Sequence, residues 1–224
     1  MTATGSGQHG GAERHTSLDR LLTLTDGVFA IAITLLALTL EIPEGAERAS
    51  RGALLQLLLA TWPQVYAFGQ SFAILALFWV AHHRLFGYIR RSDGVLLWLN
   101  LMLLLTITFI PFPTSLAREH LQDPVAMAFY FGNLLATSLV YYAIWLYATS
   151  NRRLVAPDLS TRLIRHYRVH TALPVLLFLA FTLWGVGTAI VPVSGIVLTA
   201  ATAVAYLLAA GYVVLSMQDY WEPK

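Results

Sequence analysis

Ionisable side chains lie inside or at the edge of two apolar stretches, and they are the first candidates for chemistry. Arg20 and Asp26 open one stretch, and the pair His82-His83 closes another. A charged group next to a membrane-length apolar segment is costly and marks a functional or structural site. Carboxylates and imidazoles at such places are suited to proton transfer, to metal binding or to a buried hydrogen-bonded network.

The side-chain inventory argues against a metal site and against an enzyme. Adjacent histidines on one helix point about 100° apart, so a single ion would need ligands from elsewhere. The chain has no cysteine, and no carboxylate is spaced to supply the missing ligands. Ser71 lies in a partial Gly-x-Ser-x-Gly motif but falls within a predicted helix, whereas that motif requires a strand-to-helix turn. We expect no catalytic residue, no resident metal and no cofactor.

Composition places the chain in a membrane. Apolar residues make up 57% of its 224 residues and charged residues 12%, about half the charged share of soluble domains. The apolar runs predict an all-α membrane protein with six transmembrane helices, at about 20–41, 54–81, 93–116, 125–148, 170–190 and 194–216. The predicted domains are a flexible tail (1–18), the six-helix domain (19–217) and a short second tail (218–224).

Prolines and arginines refine this prediction. Pro111 and Pro113 should kink or stop the third helix, whereas Pro174 is expected in the first turn of the fifth, where proline is tolerated. With both termini in the cytoplasm, most basic residues fall on the inner side, which favours an even number of spans in a bacterial inner membrane. These inner residues are Arg14, Arg20, Arg84, Arg90, Arg91, Arg152, Arg153, Arg162, Arg165, Arg168 and Lys224.

One face of the first predicted helix carries a stripe of branched apolar residues. Ile31, Leu35 and Leu38 follow the spacing i, i+4, i+7. Such a stripe is a packing seam or the lining of a pore with a hydrophobic constriction, and periodicity alone leaves both open. Asp26 lies about 140° around the helix from Ile31, so its carboxylate should face neighbouring helices.

Three segments resemble the transmembrane protein 175 family of endosomal and lysosomal potassium channels and their prokaryotic homologues. Arg20 to Asp26 reads Arg-x-x-x-Leu-Thr-Asp, similar to the family signature Arg-x-x-x-Phe-Ser-Asp, with Leu24 replacing Phe and Thr25 replacing Ser. The other two segments are Phe78–Phe86 and Asn100–Pro113. The specific resemblance covers the first half of the chain.

The resemblance implies a homotetramer of six-helix subunits around a central pore lined by the first helix. Conduction would be passive and would prefer potassium over other monovalent cations. The carbonyl filter sequence Thr-Val-Gly-Tyr-Gly of ordinary potassium channels is absent from this chain. By position, the resemblance places the constriction at Ile31, with Leu35 and Leu38 as further layers and Thr34 as a contributor to selectivity.

The remaining polar residues are predicted to form a structural interhelical network that supports assembly. Its candidate members are Arg20, Leu24, Thr25, Asp26, Trp79, His82, His83 and Asn100. The alternatives left open are a proton-coupled secondary transporter using Asp26 with His82 or His83, and a scaffold subunit without transport. The basic stretch 151–168 is expected to be a loop that contacts anionic lipid headgroups rather than nucleic acid.

Overall fold

The structure, a computed structural model, describes residues 6–42, 46, 50–120 and 123–190, with four isolated positions at 197, 200, 204 and 211. For residues 6–16 and 51 it describes the backbone alone. The predicted sixth helix, 194–216, therefore falls almost wholly outside the described residues, as does the short tail 218–224.

The described part of the chain is helical. Its elements are α1 (Ser6–Ala37), α2 (Arg51–Ala60), α3 (Trp62–Phe86), α4 (Gly94–Phe109), α5 (Pro111–Glu119), α6 (Pro124–Thr149) and α7 (Thr161–Ile190). Five stretches within the described residues are long and apolar enough to cross a membrane: Ser17–Ala37, Trp62–Phe86, Gly94–Glu119, Pro124–Arg152 and Thr161–Ile190. The first five predicted helices are thus present, with changed boundaries.

The second predicted helix, 54–81, has the wrong bounds. The chain forms two helices there, α2 and α3, which meet at Thr61, and Pro63 lies in the first turn of α3. Because proline lacks an N–H group, it starts a helix more readily than it continues one. The spanning helix is α3, which continues five residues beyond the predicted end, to Phe86.

Proline also interrupts the third span, as predicted. Helix α4 ends at Phe109, and α5 begins at Pro111 after the single residue Ile110. The prediction for the fifth helix was wrong at its start, because α7 begins at Thr161 and Pro174 lies inside it rather than in its first turn. Half of the expected basic loop 151–168 is therefore helix.

At the N-terminus, α1 begins at Ser6, so helical backbone extends into the stretch for which a flexible tail was expected. Two carboxylates define the starts of later helices. Asp93 Oδ1 accepts from Leu96 N at 2.9 Å to cap α4, and Asp123 Oδ1 accepts from Val125 N at 2.7 Å to cap α6. Such caps satisfy backbone N–H groups that have no partner in the first turn.

The packing order runs from α7 at one edge through α6 and α4 to α1 and α3, while α5 lies against α6 and α3. Helix α6 is central and carries Leu134, Ile144 and Trp145, all fully buried. Helices α6 and α7 cross closely, since a Cβ atom added at Gly185 would lie 2.9 Å from the Cβ of Ala128. A small residue at this crossing permits that approach.

The two loops that follow α3 and α6 are joined at one end of the bundle, here called the basic end. Ile89 and Val155 form an antiparallel bridge, and Arg90 N donates to Leu154 O at 2.8 Å. The start of α1 is held at the same end, because the Ser17 and Ser92 hydroxyl oxygens lie 2.6 Å apart. This arrangement fixes α1 relative to α4, whose cap follows Ser92.

Candidate functional site

Helix α1 has two faces of different character. On one face, residues spaced three or four apart are buried against α3, α4 and α5, and these are Leu18, Leu21, Thr25, Phe29, Ala32 and Leu36. On the other face, Ile31 is 58% exposed and Leu35 is exposed as well, and Leu38, one residue beyond the helix, is 77% exposed. Among the residues that the structure describes, the predicted stripe is therefore not a packing seam.

Thr34 lies beside this exposed stripe, where selectivity was predicted to arise. Its hydroxyl donates to Ile31 O at 2.8 Å, within the same helix. Because the hydrogen is used in this bond, the Thr34 oxygen faces its surroundings as an acceptor. An acceptor oxygen next to an apolar stripe can contact a partly dehydrated cation.

The opposite face of α1 takes part in a buried chain of hydrogen bonds that joins three helices. Asn100 Nδ2 in α4 donates to Thr25 Oγ1 at 2.8 Å, and Thr25 in turn donates to Leu21 O at 2.9 Å. The other amide atom, Asn100 Oδ1, lies 3.1 Å from His82 Nε2 in α3. With the amide in this orientation, His82 must carry a proton on Nε2 to donate to Asn100.

The ring of His82 is enclosed by two aromatic side chains that the sequence did not single out. It stacks on Phe86 with ring centroids 4.0 Å apart, and its centroid lies 6.2 Å from that of Phe29. Phe86 follows His82 by one helical turn, which is the spacing that brings side chains on one helix together. The structure thus selects His82, rather than His83, as the histidine bonded to Asn100.

Asp26 belongs to a second, separate group. Trp79 Nε1 donates to Asp26 Oδ1 at 2.9 Å, and the Trp79 ring stacks on His83 with centroids 5.7 Å apart. All three side chains are exposed in the single chain. The single network predicted from the sequence is therefore divided in two, with the carboxylate on the exposed side.

Two of the predicted network members join neither group. Arg20 is exposed and forms no hydrogen bond or ion pair with any other described residue, and Leu24 is 47% exposed on the same helix. The expected pairing of Arg20 with Asp26 is not present within the chain. Both side chains lie where another molecule can contact them.

The far end of α1 is also held by polar contacts. Just beyond the helix, Glu41 N donates to the Gln64 side chain at 3.2 Å, and Glu41 Oε1 lies 3.7 Å from Arg118 in α5. A second buried pair, Ser71 and Thr114, joins α3 to α5 with hydroxyl oxygens 3.2 Å apart. Sequence reasoning considered Ser71 only as a nucleophile and missed this role.

Possible metal ligands are scarce. Across the described ranges there is no group of three His, Cys, Asp or Glu residues that could hold an ion. The rings of His166 and His170, one turn apart on α7, lie 4.1 Å apart by their centroids, but two ligands alone do not complete a tetrahedral site.

The part of the chain that contains both hydrogen-bonded groups also matches a known protein family. The family described as endosomal/lysosomal potassium channel TMEM175 matches residues 20–111, which include α1 from Arg20 onward and all of α2, α3 and α4. A potassium channel of Chamaesiphon minutus is 40% identical over 148 residues, covering 65% of this chain and 72% of that protein. A potassium channel of Streptomyces collinus is 35% identical over 158 residues, covering 69% of this chain and 75% of that protein.

A more distant relative and a solved structure extend the comparison. The human endosomal/lysosomal proton channel TMEM175 is 30% identical over 152 residues, which cover 67% of this chain and 30% of that protein. The crystal structure of a lysosomal potassium-selective channel TMEM175 homolog from Chamaesiphon minutus superposes with a TM-score of 0.74 and 30% identity. That superposition covers 90% of this chain and 98% of the other.

Proposed function

Because the chain belongs to the TMEM175 family of endosomal/lysosomal potassium channels, we propose that it is a cation channel that prefers potassium and conducts passively. In this proposal four copies assemble around a central pore, and the exposed face of α1 from each copy lines it. The single observation that carries the proposal is that this face is apolar and uncovered while the opposite face of α1 is packed and hydrogen-bonded.

The proposed constriction is a ring of Ile31 side chains, followed by rings of Leu35 and Leu38. The rise from Ile31 to Leu38 is about 10 Å at helical geometry, so a permeating ion crosses a short apolar passage. Branched apolar side chains offer no oxygen ligands, and the barrier then depends on pore diameter and on dewetting. Thr34 places an acceptor oxygen within this passage and is proposed to favour the ion that loses water more easily, which is potassium.

We propose that the basic end faces the cytoplasm and that the chain resides in a bacterial inner membrane. Most of the lysine and arginine residues flank the spans at that end, as the positive-inside rule requires. At the opposite end, Glu41 follows the pore-lining face and is 3.7 Å from Arg118. The contact fixes the outer end of α1, and the carboxylate places negative charge near the outer mouth.

The geometry favours a channel over the proton-coupled transporter. A relay would need Asp26 and a histidine within hydrogen-bond reach of each other or of a common partner. In the described structure Asp26 accepts from Trp79, while His82 is bonded to Asn100. The two titratable groups thus belong to different networks, and no hydrogen bond among the described residues joins Asp26 to His82 or His83.

The experiment that tests the proposal is potassium flux from proteoliposomes loaded with potassium and free of a pH gradient. We expect potassium flux in the absence of any proton gradient. Adding a protonophore should not lower the rate of this flux, because the proton movement only relieves the membrane potential that potassium flux builds up. Flux that requires an imposed proton gradient would support the transporter instead. A monomeric mass in a detergent from which the protein regains flux on reconstitution would contradict a pore built from several copies of α1.

A further inference from the structure

The outward face of α7 changes from basic to apolar within a few turns. Its first part carries Arg162, Arg165 and Arg168, which are exposed, and its later part exposes Leu173 and Leu176. The three arginines span about 9 Å along the helix axis, comparable to the several ångströms of headgroup region on each side of a bilayer. This face therefore matches the transition from headgroups to hydrocarbon.

Positive charge on this face has no acidic counterpart along the helix. Helix α7 contains no Asp or Glu, and the ion pairs found among the described residues, Arg118 with Glu41 and with Glu119, lie at the other end of the bundle. The acidic residues described at the basic end are Asp19, Asp93 and Asp158. Asp93 is occupied, because it caps α4 and its Oδ2 accepts from Tyr147 at 2.6 Å.

The loop bridge brings further arginines to the same surface. Arg90 and Arg91 N–H groups both donate to Leu154 O, at 2.8 and 3.2 Å, next to Arg153 in the chain. The ring of Tyr88 lies 5.1 Å from that of Tyr167 in α7, by their centroids. Two segments separated by more than sixty residues in the sequence are thus brought beside the start of α7.

Two arginines of the loop after α6 are held by contacts within the chain. Arg153 donates to Tyr147 OH at 2.9 Å and lies over the Tyr147 ring, and this hydrogen bond holds the pKa of Arg153 above its ordinary value. Arg152 instead turns into the loop and donates to Pro157 O at 2.7 Å. We call the exposed residues the basic rim, defined as Arg90, Arg91, Arg153, Arg162, Arg165 and Arg168.

We propose that the basic rim binds the headgroup phosphates of anionic phospholipids in the adjoining leaflet. Charge complementarity favours this occupant, because each arginine near an anionic bilayer surface adds to binding and the guanidinium geometry suits phosphate. The rim continues directly into the apolar outer face of α7, which suits a ligand with acyl chains. The proposal rests on membrane insertion and is independent of ion conduction.

The test is native mass spectrometry of the full-length protein titrated with phosphatidylglycerol or with phosphatidylcholine. We expect the wild-type protein to retain phosphatidylglycerol at lower lipid concentration than phosphatidylcholine. The variant R162Q/R165Q/R168Q should weaken phosphatidylglycerol binding at least tenfold, since one arginine contributes about fivefold, and should leave phosphatidylcholine binding unchanged. The variant R162K/R165K/R168K should retain most of the binding because it retains the charge.

Controls separate this site from general electrostatics and from a free-phosphate site. The variant R51Q removes charge at the first residue of α2, outside the basic rim, and should bind phosphatidylglycerol like the wild type. Equal loss in both glutamine variants, or displacement of the lipid by millimolar inorganic phosphate, would overturn the proposal. If R162Q/R165Q/R168Q fails to assemble, the variant R90Q/R91Q tests the part of the basic rim that lies outside α7. Unchanged phosphatidylglycerol binding by R90Q/R91Q would contradict a site formed by the whole rim.

Discussion

Helices α1 and α7 expose apolar surface to a similar degree but in different patterns. Ile31 on α1 is 58% exposed and Leu176 on α7 is 61% exposed. On α1 the exposed residues include small and hydroxyl-bearing ones, such as Ala30 and Thr34, whereas α7 exposes no hydroxyl-bearing residue beyond its arginines. The amount of exposed apolar surface therefore does not distinguish a pore or subunit interface from a lipid-facing surface.

The way each helix is held differs as well. Helix α1 is tied to α3 and α4 by the buried bonds of Thr25 and Asn100, whereas α7 is held mainly by close packing on α6. Directional hydrogen bonds fix the rotation of a helix about its axis more strictly than apolar packing does. A fixed rotation of α1 suits the proposal that its exposed face lines the pore, whereas nothing in the proposal requires a fixed rotation of α7.

The largest effect is expected from removing the amide that fixes α1. Asn100→Ala leaves the buried His82 Nε2 without its partner, at about 1–3 kcal/mol, and also removes the bond to Thr25, at about 0.5–1.5 kcal/mol, while Thr25 keeps its bond to Leu21 O. The measurement is the free energy of unfolding in mixed micelles, together with the fraction of assembled protein. Asn133→Ala is the matched control, because Asn133 is half-buried and makes one long bond, at 3.4 Å to Thr106 O. Equal losses in the two variants would contradict a special role for Asn100.

The next effect concerns the packing of α7. Gly185→Val forces a side chain into the backbone of Ala128 and should destabilise the protein by about 1–3 kcal/mol. Gly187→Val is the control, since nothing lies within 4 Å of a Cβ atom at Gly187. Thermal unfolding followed by size-exclusion chromatography compares the two variants. If Gly187→Val were the more damaging, the crossing of α6 and α7 would not be where the structure places it.

A change in conduction is expected from α1 and not from α7. Ile31→Ala widens the proposed constriction and should raise potassium flux on the order of tenfold, which corresponds to about 1.4 kcal/mol of barrier, while weakening the preference over sodium. Leu176→Ala removes a comparable side chain of similar exposure and should change neither property. Flux and reversal potential in planar bilayers measure both variants. If Ile31→Ala and Leu176→Ala changed flux and selectivity equally, the proposed difference in function between the exposed faces of α1 and α7 would be wrong.

The smallest effect is expected at Thr34. Thr34→Ala removes the acceptor oxygen without widening the Ile31 ring. The preference for potassium over sodium should therefore fall by less than roughly tenfold, and conductance should change little. Thr34→Ser keeps the oxygen and should behave like the wild type. Reversal potentials under potassium–sodium gradients distinguish them. A serine variant as unselective as the alanine variant would assign the effect to the methyl group instead.

Local chemistry made much of the fold predictable. Runs of apolar residues located the first five spans, and Pro111 correctly indicated the interruption between α4 and α5 because proline removes a backbone donor. The start of α7 was misjudged because the arginine-rich run was interpreted as a loop, although arginine is a good helix former. The break at Thr61 was missed because Trp62-Pro63 was assigned to a helix interior.

Tertiary packing decided what the sequence left open at the site. His82 and His83 are adjacent and chemically identical, and the sequence alone does not indicate which of them is buried beside Asn100 on α4. The sequence predicted one network of polar residues near one end of the bundle. Their division into a buried set around Asn100 and an exposed set around Asp26 depends on the rotation of α1, which no pattern in its own sequence specifies.

The most direct test of the central claim uses the absence of cysteine from the chain. Single substitutions Leu38→Cys, one residue beyond α1, and Leu176→Cys on α7 introduce one thiol each at exposed apolar positions, without background reactivity. After treatment with a cationic, water-soluble methanethiosulfonate reagent, potassium flux through the Leu38→Cys protein should be largely blocked, and flux through the Leu176→Cys protein should be unchanged. Block at Leu176→Cys with none at Leu38→Cys would contradict a pore lined by the exposed face of α1.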